Sequence, residues 1–298
     1  MWTIFIRPRA RVVRVNIMLV KLPKTETRSF EQLREQYEIE KNLANRMYCA
    51  SREERGNLYG TIYDELYRLV PHHPQLTQKK DAKLRLISVS RQMNLLKRFL
   101  TPRSIFLEVG PGDCSLSLEV TYYAKKVYAI DVSEEIMKRS IFPENFKLII
   151  YDGINIPIPE DTINIAYSKD LIEHLHPDDA FDHLTKIYNI LTNGGKYIII
   201  TPNRLSGPHD ISKYFDSVAT GLHLKEYSVT ELYDSLRKVG FLKIRTYIGG
   251  KGIYIKFPSF LIKNIEKLLS NLPFFLRKRV AITLPFKILL GITMIATK

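Results

Sequence analysis

Apolar residues recur along the first hundred positions at helical spacing, and beyond that in short unbroken runs. Residues 26–55 are rich in Glu, Arg, Gln and Leu, a pattern that predicts a solvated helix. Leu58, Ile62, Leu66 and Leu69 continue on one helical face until Pro71 and Pro74 stop the run. A further helix is predicted over 81–100. Leu86, Val89, Met93, Leu96 and Leu100 form its stripe, with Lys83, Arg91, Lys97 and Arg98 off it, and Pro102 closes it.

After Pro102 the period changes. Apolar runs at 105–109, 127–130, 146–150, 163–167 and 196–201 alternate with amphipathic stretches at about 115–124, 133–140, 177–191 and 228–239. The last of these opens on Ser228-x-x-Glu231, a capping box contributing ~1 kcal/mol. This alternation predicts an α/β fold, a doubly wound parallel sheet with helices on both faces. Two later runs rich in β-branched residues, 243–248 and 288–296, finish the sheet. No internal repeat is present. The chain divides into a basic tail (1–24), a helical appendage (25–100) and an α/β domain (101–298), with a basic amphipathic insertion at about 256–287.

Composition alters this picture only through charge. The 298 residues carry a net +14, of which residues 1–24 hold +6 and residues 241–298 hold +10, leaving −2 for the stretch between. Met18 is a second candidate start, upstream of which the tail would be untranslated. Cys49 and Cys114 lie far apart without metal-ligand spacing, so they read as reduced thiols of a cytoplasmic protein, and no metal is expected. No uncharged run reaches the ~18 residues that span a bilayer. The N-terminus is too broken by arginine for a signal peptide.

The candidate chemistry begins at "LEVGPGDCS", residues 107–115. Gly110-Pro-Gly112 follows the first strand of the sheet, and ligands of such sheets sit at the C-terminal strand ends. Glu108 would repel a pyrophosphate but suits an ammonium or sulfonium group, and the loop lacks the Gly-Lys-Ser/Thr of a P-loop. Asp131, closing the next strand, is placed to accept hydrogen bonds from ribose hydroxyls; its competing reading is an exposed helix cap. Asp152 ends the third strand, where an acid can meet an adenine amino group, and Ser168 and Asp170 follow the fourth.

"LEVGPGDCS", "VYAID", "YDGINIPIPEDTINIAYSKDLIEHL" and "ILTNGGKYIIITPN", in this order and spacing, resemble the class I S-adenosylmethionine (SAM)-dependent methyltransferases. The similarity is to the small-molecule type that includes the quinone-biosynthesis enzymes, and covers about residues 100–245. It implies a Rossmann-like, seven-stranded sheet with a reversed last strand and SAM as the methyl donor. By match to the motif, Glu108, Gly110 and Gly112 would hold the methionine moiety, Asp131 the ribose, and Asp152 with Gly153 the adenine, with Ser168 also at the cofactor. Two departures stand out: Cys114 for the last glycine, read as a matter of helix packing, and Asn164 where an aspartate is usual.

An activated donor leaves the protein to align the acceptor and remove its proton. His174, His209 and His223 all fall after the fourth or fifth strand and are the candidate bases; His174 has the competing reading of a ring that satisfies a backbone carbonyl. The stretch 201–228 is long for a strand-to-helix connection, and reads as an acceptor-binding lid or as an excursion packed on the N-terminal helices. "YSKD" replaces the Asn/Asp-Pro-Pro-Tyr/Phe turn typical of nucleic-acid base N-methylation. An oxygen acceptor therefore leads, on a small molecule, glycan or lipid-linked compound, with carbon second. In the insertion, Phe260, Leu261, Ile265, Leu268 and Leu269 mark one apolar helix side next to Lys263 and Lys267, before "LPFFLRKR". The segment packs on its own core, lies peripherally on an anionic membrane, or binds nucleic acid. Two rival functions follow: an RNA methyltransferase using the basic ends, and a protein that binds SAM without turnover.

Overall fold

The structure, a computed structural model, describes residues 26–78, 82–133 and 142–298. The basic tail with Met18, and nearly all of the helix predicted at 133–140, lie outside the described residues.

Five parallel strands make the centre of the sheet: β1 (Ile105–Val109), β2 (Lys126–Asp131), β3 (Phe146–Ile150), β4 (Ile163–Lys169) and β5 (Leu191–Thr201). They are followed by β6 (Lys243–Gly250), β7 (Ile253–Phe257) and β8 (Ile292–Thr297), in the order β3-β2-β1-β4-β5-β8-β6-β7. The last strand, β8, is antiparallel to both its neighbours, β5 and β6, which is the reversed strand expected. The extra strand is β7, paired antiparallel to β6 at the edge. Lys251 and Gly252 join the two with positive φ at both positions, the geometry of a tight hairpin.

The helices are α1 (Phe30–Cys49), α2 (Arg52–Leu69), α3 (Pro74–Gln78), α4 (Ala82–Leu96), α5 (Ser115–Val120), α6 (Pro177–Ile190), α7 (Val229–Val239), α8 (Ser259–Ser270), α9 (Phe274–Ala281) and α10 (Leu284–Leu290). Alternation along β1 sets the layers. Leu107 and Val109 face a cluster shared with α1, α2, α6 and α7, while Phe106 faces one shared with α4 and α5. The N-terminal helices do not stand apart from the sheet: Met47, Tyr59, Ile62 and Leu66 belong to the same apolar cluster as Val109, Ile130 and Ala166.

Several expectations need correction. The helix predicted over 26–55 breaks at Ala50-Ser51, because Ser51 and Glu54 form a capping box that starts α2. The stripe predicted for 81–100 fails at Leu86, which is exposed, while Met93 and Leu96 are buried. The strand predicted from residue 288 starts at Ile292; the residues before it form α10, which opens with Pro285 in its first turn. On α8 the buried residues are Ile262, Glu266 and Leu269, while Phe260 and Leu268 face outwards.

The reason for that rotation is Glu266, the only acid of residues 241–298. Its carboxylate accepts hydrogen bonds from Asn203 Nδ2 (2.9 Å), Val229 N (2.7 Å), and Thr230 N and Oγ1 (2.9 and 2.7 Å), so it caps the first turn of α7.

Candidate functional site

The turn after β1 leaves the strand at Val109 and runs through Gly110 (φ 67°), Gly112 (φ 54°) and Cys114 (φ 54°) into α5. A Cβ on Gly110 would sit 3.0 Å from Leu171 Cδ1, whereas one on Gly112 would meet nothing within 4 Å. Cys114 occupies a left-handed position that favours glycine, at a cost of about 1 kcal/mol for any other residue. The missing glycine is thus a matter of backbone conformation, and the buried thiol among Leu116 and Val120 offsets it by packing. Glu108 is 5% exposed. It accepts a hydrogen bond from Ser117 Oγ, and burial pushes its carboxyl up to about 8 against the opposing effect of that bond.

Asp131 ends β2 half-buried and accepts from Val132 N at 2.7 Å and Ser133 N at 3.3 Å. Asp152 follows β3; its carboxylate takes Ile154 N (2.9 Å) and both Asn155 N and Nδ2 (2.6 Å each). Burial opposes ionisation of Asp152, and these bonds outweigh it and hold the group below its usual range. Gly153 faces Tyr59: a Cβ there would lie 2.7 Å from the Tyr59 Cβ. Ser168 is 1% exposed and pairs its hydroxyl with Tyr197 Oη at 2.8 Å. The Ser168 hydroxyl is thus engaged by β5. Asn164 is structural, its Oδ1 accepting from Ile105 N at 2.8 Å.

The three candidate histidines line one cleft of about 190 Å³. His174 sits on the short 3₁₀ turn Ile172–His174, directly after Leu171. Its Nδ1 lies 2.8 Å from Tyr63 Oη and 2.9 Å from Leu222 O, and burial, reinforced by His223, lowers its pKa to about 3. His223 packs edge-on against it, with ring centroids 4.7 Å apart. Burial alone would lower the pKa of His223, but its 2.8 Å bond to Glu226 and the field of Glu173 raise it. His209 Nε2 lies 3.1 Å from both Asn203 O and Ser206 Oγ. Glu173, which sequence reading left unassigned, is 0% exposed, and burial pushes it up to about 7. The remaining walls mix charged residues, Arg28, Glu40, Asp210 and Lys213 among them, with apolar ones such as Leu66, Ile211 and Leu222.

The connection 202–227 packs on the N-terminal helices, the second of its two expected readings. Ile211 and Tyr214 pack on Leu33 and Tyr37 of α1, and the same segment supplies one wall of the cleft. Sequence reading missed the contribution of α2. Gly56 approaches Asp152 and Ile154, Gly60 approaches Val132 O, and Tyr63 reaches His174, so α2 crosses the C-terminal ends of β3, β2 and β4. The signal was present as Gly56 and Gly60, one turn apart on the helix.

Residues 107–199 match the profile of a family described as a methyltransferase domain. Among solved structures the chain is similar to the YcgJ protein of Bacillus subtilis, at 15% identity over 70% of this chain and 97% of that one, with a TM-score of 0.45. It is similar also to a SAM-dependent methyltransferase from Archaeoglobus fulgidus, at 18% identity over 70% and 93% of the two chains and a TM-score of 0.48. A third, a SAM-dependent methyltransferase from Aquifex aeolicus, shares 23% identity over 61% and 94% with a TM-score of 0.44. No curated protein matches the chain. Residues 107–199 thus form a methyltransferase domain, and the glycine turn after β1 and the reversed β8 agree with the resemblance to the class I SAM-dependent methyltransferases.

Proposed function

We propose that the protein methylates a hydroxyl group of a polar small-molecule, glycan or lipid-linked acceptor held in the cleft between α1, α2 and the connection 202–227. The observation that carries this reading is the convergence of His174, His209 and His223 in one cleft, with His174 on the turn that follows Leu171, the residue beside Gly110.

The strand ends fit the donor. Glu108, Asp131 and Asp152 gather acids at the ends of β1, β2 and β3, and Gly112 leaves open space beside them, a set suited to a cationic amino acid and a ribose. In this reading Glu108, Gly110, Gly112, Asp131 and Asp152 hold SAM, with Gly153 behind Asp152 making room for Tyr59. When bound, SAM supplies a methyl group on a sulfonium, which needs no further activation. The protein then aligns the acceptor, worth about 7–11 kcal/mol at best, and takes its proton. His209 is the proton acceptor. Asn203 O can only accept a hydrogen bond, so Nε2 of His209 carries the hydrogen and Nδ1 keeps the lone pair.

The outer face of α8–α10 supports a location at a membrane surface. Leu284 is 73% exposed and Leu268 70%, and Phe260 and Phe275 are exposed beside Lys267, Lys278 and Arg279. Among the described residues, no helix is long and apolar enough to cross a membrane.

Labelled SAM incubated with fractionated cell extract tests the acceptor. Label should enter lipid, glycan or small metabolites as an alkali-stable ether, and His209→Gln should lower turnover on the order of 10²–10⁴-fold with SAM binding unchanged. Label confined to RNA would replace this reading with the RNA one.

A further inference from the structure

Glu173, His174 and His223 each offer a ligand atom within 4.8 Å of the others'. Glu173 and His174 are neighbours on the 3₁₀ turn after β4, whereas His223 arrives from the far end of the connection 202–227. We propose that these three side chains hold a divalent cation that takes mixed nitrogen and oxygen ligands, such as Zn2+, Co2+ or Mn2+, at the floor of the acceptor cleft.

The hydrogen bonds around the cluster leave each imidazole one nitrogen with a lone pair to offer. His174 Nδ1 lies 2.9 Å from Leu222 O, an obligate acceptor, so Nδ1 bears the hydrogen and Nε2 keeps its lone pair. His223 Nδ1 lies 2.8 Å from Glu226 Oε1, which fixes the same tautomer. A carbonyl or carboxylate behind each ring is the support that metal-binding imidazoles carry. Glu173 adds an independent observation. Its Oε2 accepts from Thr201 Oγ1 at 2.9 Å, but its Oε1 is buried without any partner. A buried oxygen with nothing to bond calls for an explanation, and a cation supplies one. Two imidazoles and one carboxylate leave coordination positions open towards the cleft, as sites that bind substrate oxygen do. Ligand bonds of about 2.0–2.2 Å would draw the three atoms together by roughly 1 Å.

For the reaction, this rests on the proposed hydroxyl acceptor: an oxygen bound to the cation gives up its proton more readily, and His209, outside the cluster, receives it. Cation binding itself does not depend on that reading.

The test uses the tag-free full chain, stripped with chelator and titrated with Mn2+ by electron paramagnetic resonance and with Co2+ by visible absorption. One site per chain is expected. Glu173→Gln and His223→Gln should each weaken it by more than about 100-fold, and Glu226→Gln by about 10–100-fold through the supporting bond. His209→Gln should bind as the parent does. Melting curves and SAM calorimetry show which variants fold. Should a ligand variant not fold, spin-echo modulation of Mn2+ on the parent chain should still show two imidazole nitrogens. No site, no imidazole nitrogens, or undiminished binding in folded Glu173→Gln and His223→Gln variants would overturn the proposal. Methyl transfer unaffected by chelation would leave the hydroxyl reading intact while removing the cation from it.

Discussion

Glu108 changes its charge according to what lies beside it. Burial holds its carboxyl up to about 8, so ionising it at pH 7 costs about 1.4 kcal/mol. A unit positive charge 4 Å away contributes about 4 kcal/mol at an effective dielectric of 20, enough to remove the proton. If Glu108 meets the cationic part of SAM, the free protein holds a proton below about pH 8 that the complex releases. Affinity for SAM should then rise with pH by at most about tenfold per unit, levelling off above about 8. Calorimetry across this range, repeated in buffers of different protonation enthalpy, would read both the slope and the released proton. Glu108→Gln should flatten the profile, and a flat profile in the parent would remove Glu108 from the ligand. At this scale the glycine turn was legible as a turn because Gly110 and Gly112 follow an apolar run, and both take positive φ. Cys114 was misread because its letter says "small and buried" while its φ of 54°, set by the turn, is invisible in the sequence.

Helix α2 is held across the strand ends by one buried constellation. Arg55 pairs bidentately with Asp179 at 2.6 and 2.7 Å, Tyr59 Oη donates to the same carboxylate at 2.9 Å, and His176 N donates to Tyr59 Oη at 2.8 Å. Arg55 also reaches back to Ala50 O at 2.9 Å, spanning the break between α1 and α2. Removing one partner of such a pair leaves the other charge buried alone, a loss on the order of 3 kcal/mol. Asp179→Ala should therefore speed amide hydrogen exchange in α2 ahead of the sheet, and weaken SAM binding before it lowers cooperative unfolding. Exchange that quickens evenly through β1–β5 would show instead that α2 and the sheet unfold as one unit. Helical periodicity made the existence of α2 plain, but its docking depends on residues 124 positions apart, and no local pattern carries that information. The same limit hid the cluster at the cleft floor. "IEHLHP" puts Glu173 and His174 side by side, and only the path of the connection 202–227 brings His223 to them.

Across the whole molecule the charge is divided between two tasks. Acids sit at the strand ends around the proposed SAM site, while residues 241–298, at +10, carry the exposed apolar side chains of α8–α10. The two regions are joined. Leu205, at the start of the connection 202–227, packs with Leu269, Ala281 and Leu290, and Glu266 of α8 caps α7. Burial, and after it the neighbouring Lys213, lowers the pKa of Lys278, so the basic end of α9 lies close to a residue that lines the cleft. If this face rests on a bilayer, as proposed, a lipid-linked acceptor would enter from it. Each cation near an anionic surface contributes ~1 kcal/mol, so Lys267→Gln with Lys278→Gln should weaken binding to phosphatidylglycerol-containing vesicles by about 30-fold. Leu268→Ser with Leu284→Ser should weaken it as well, through lost apolar contact and with little change in the salt dependence, because both side chains are already exposed in the folded chain. Co-sedimentation with vesicles of phosphatidylcholine alone and of phosphatidylcholine with phosphatidylglycerol separates the two contributions. Binding to neither vesicle, together with salt-sensitive retention on RNA, would assign the basic face to nucleic acid and make the exposed apolar residues irrelevant to the acceptor.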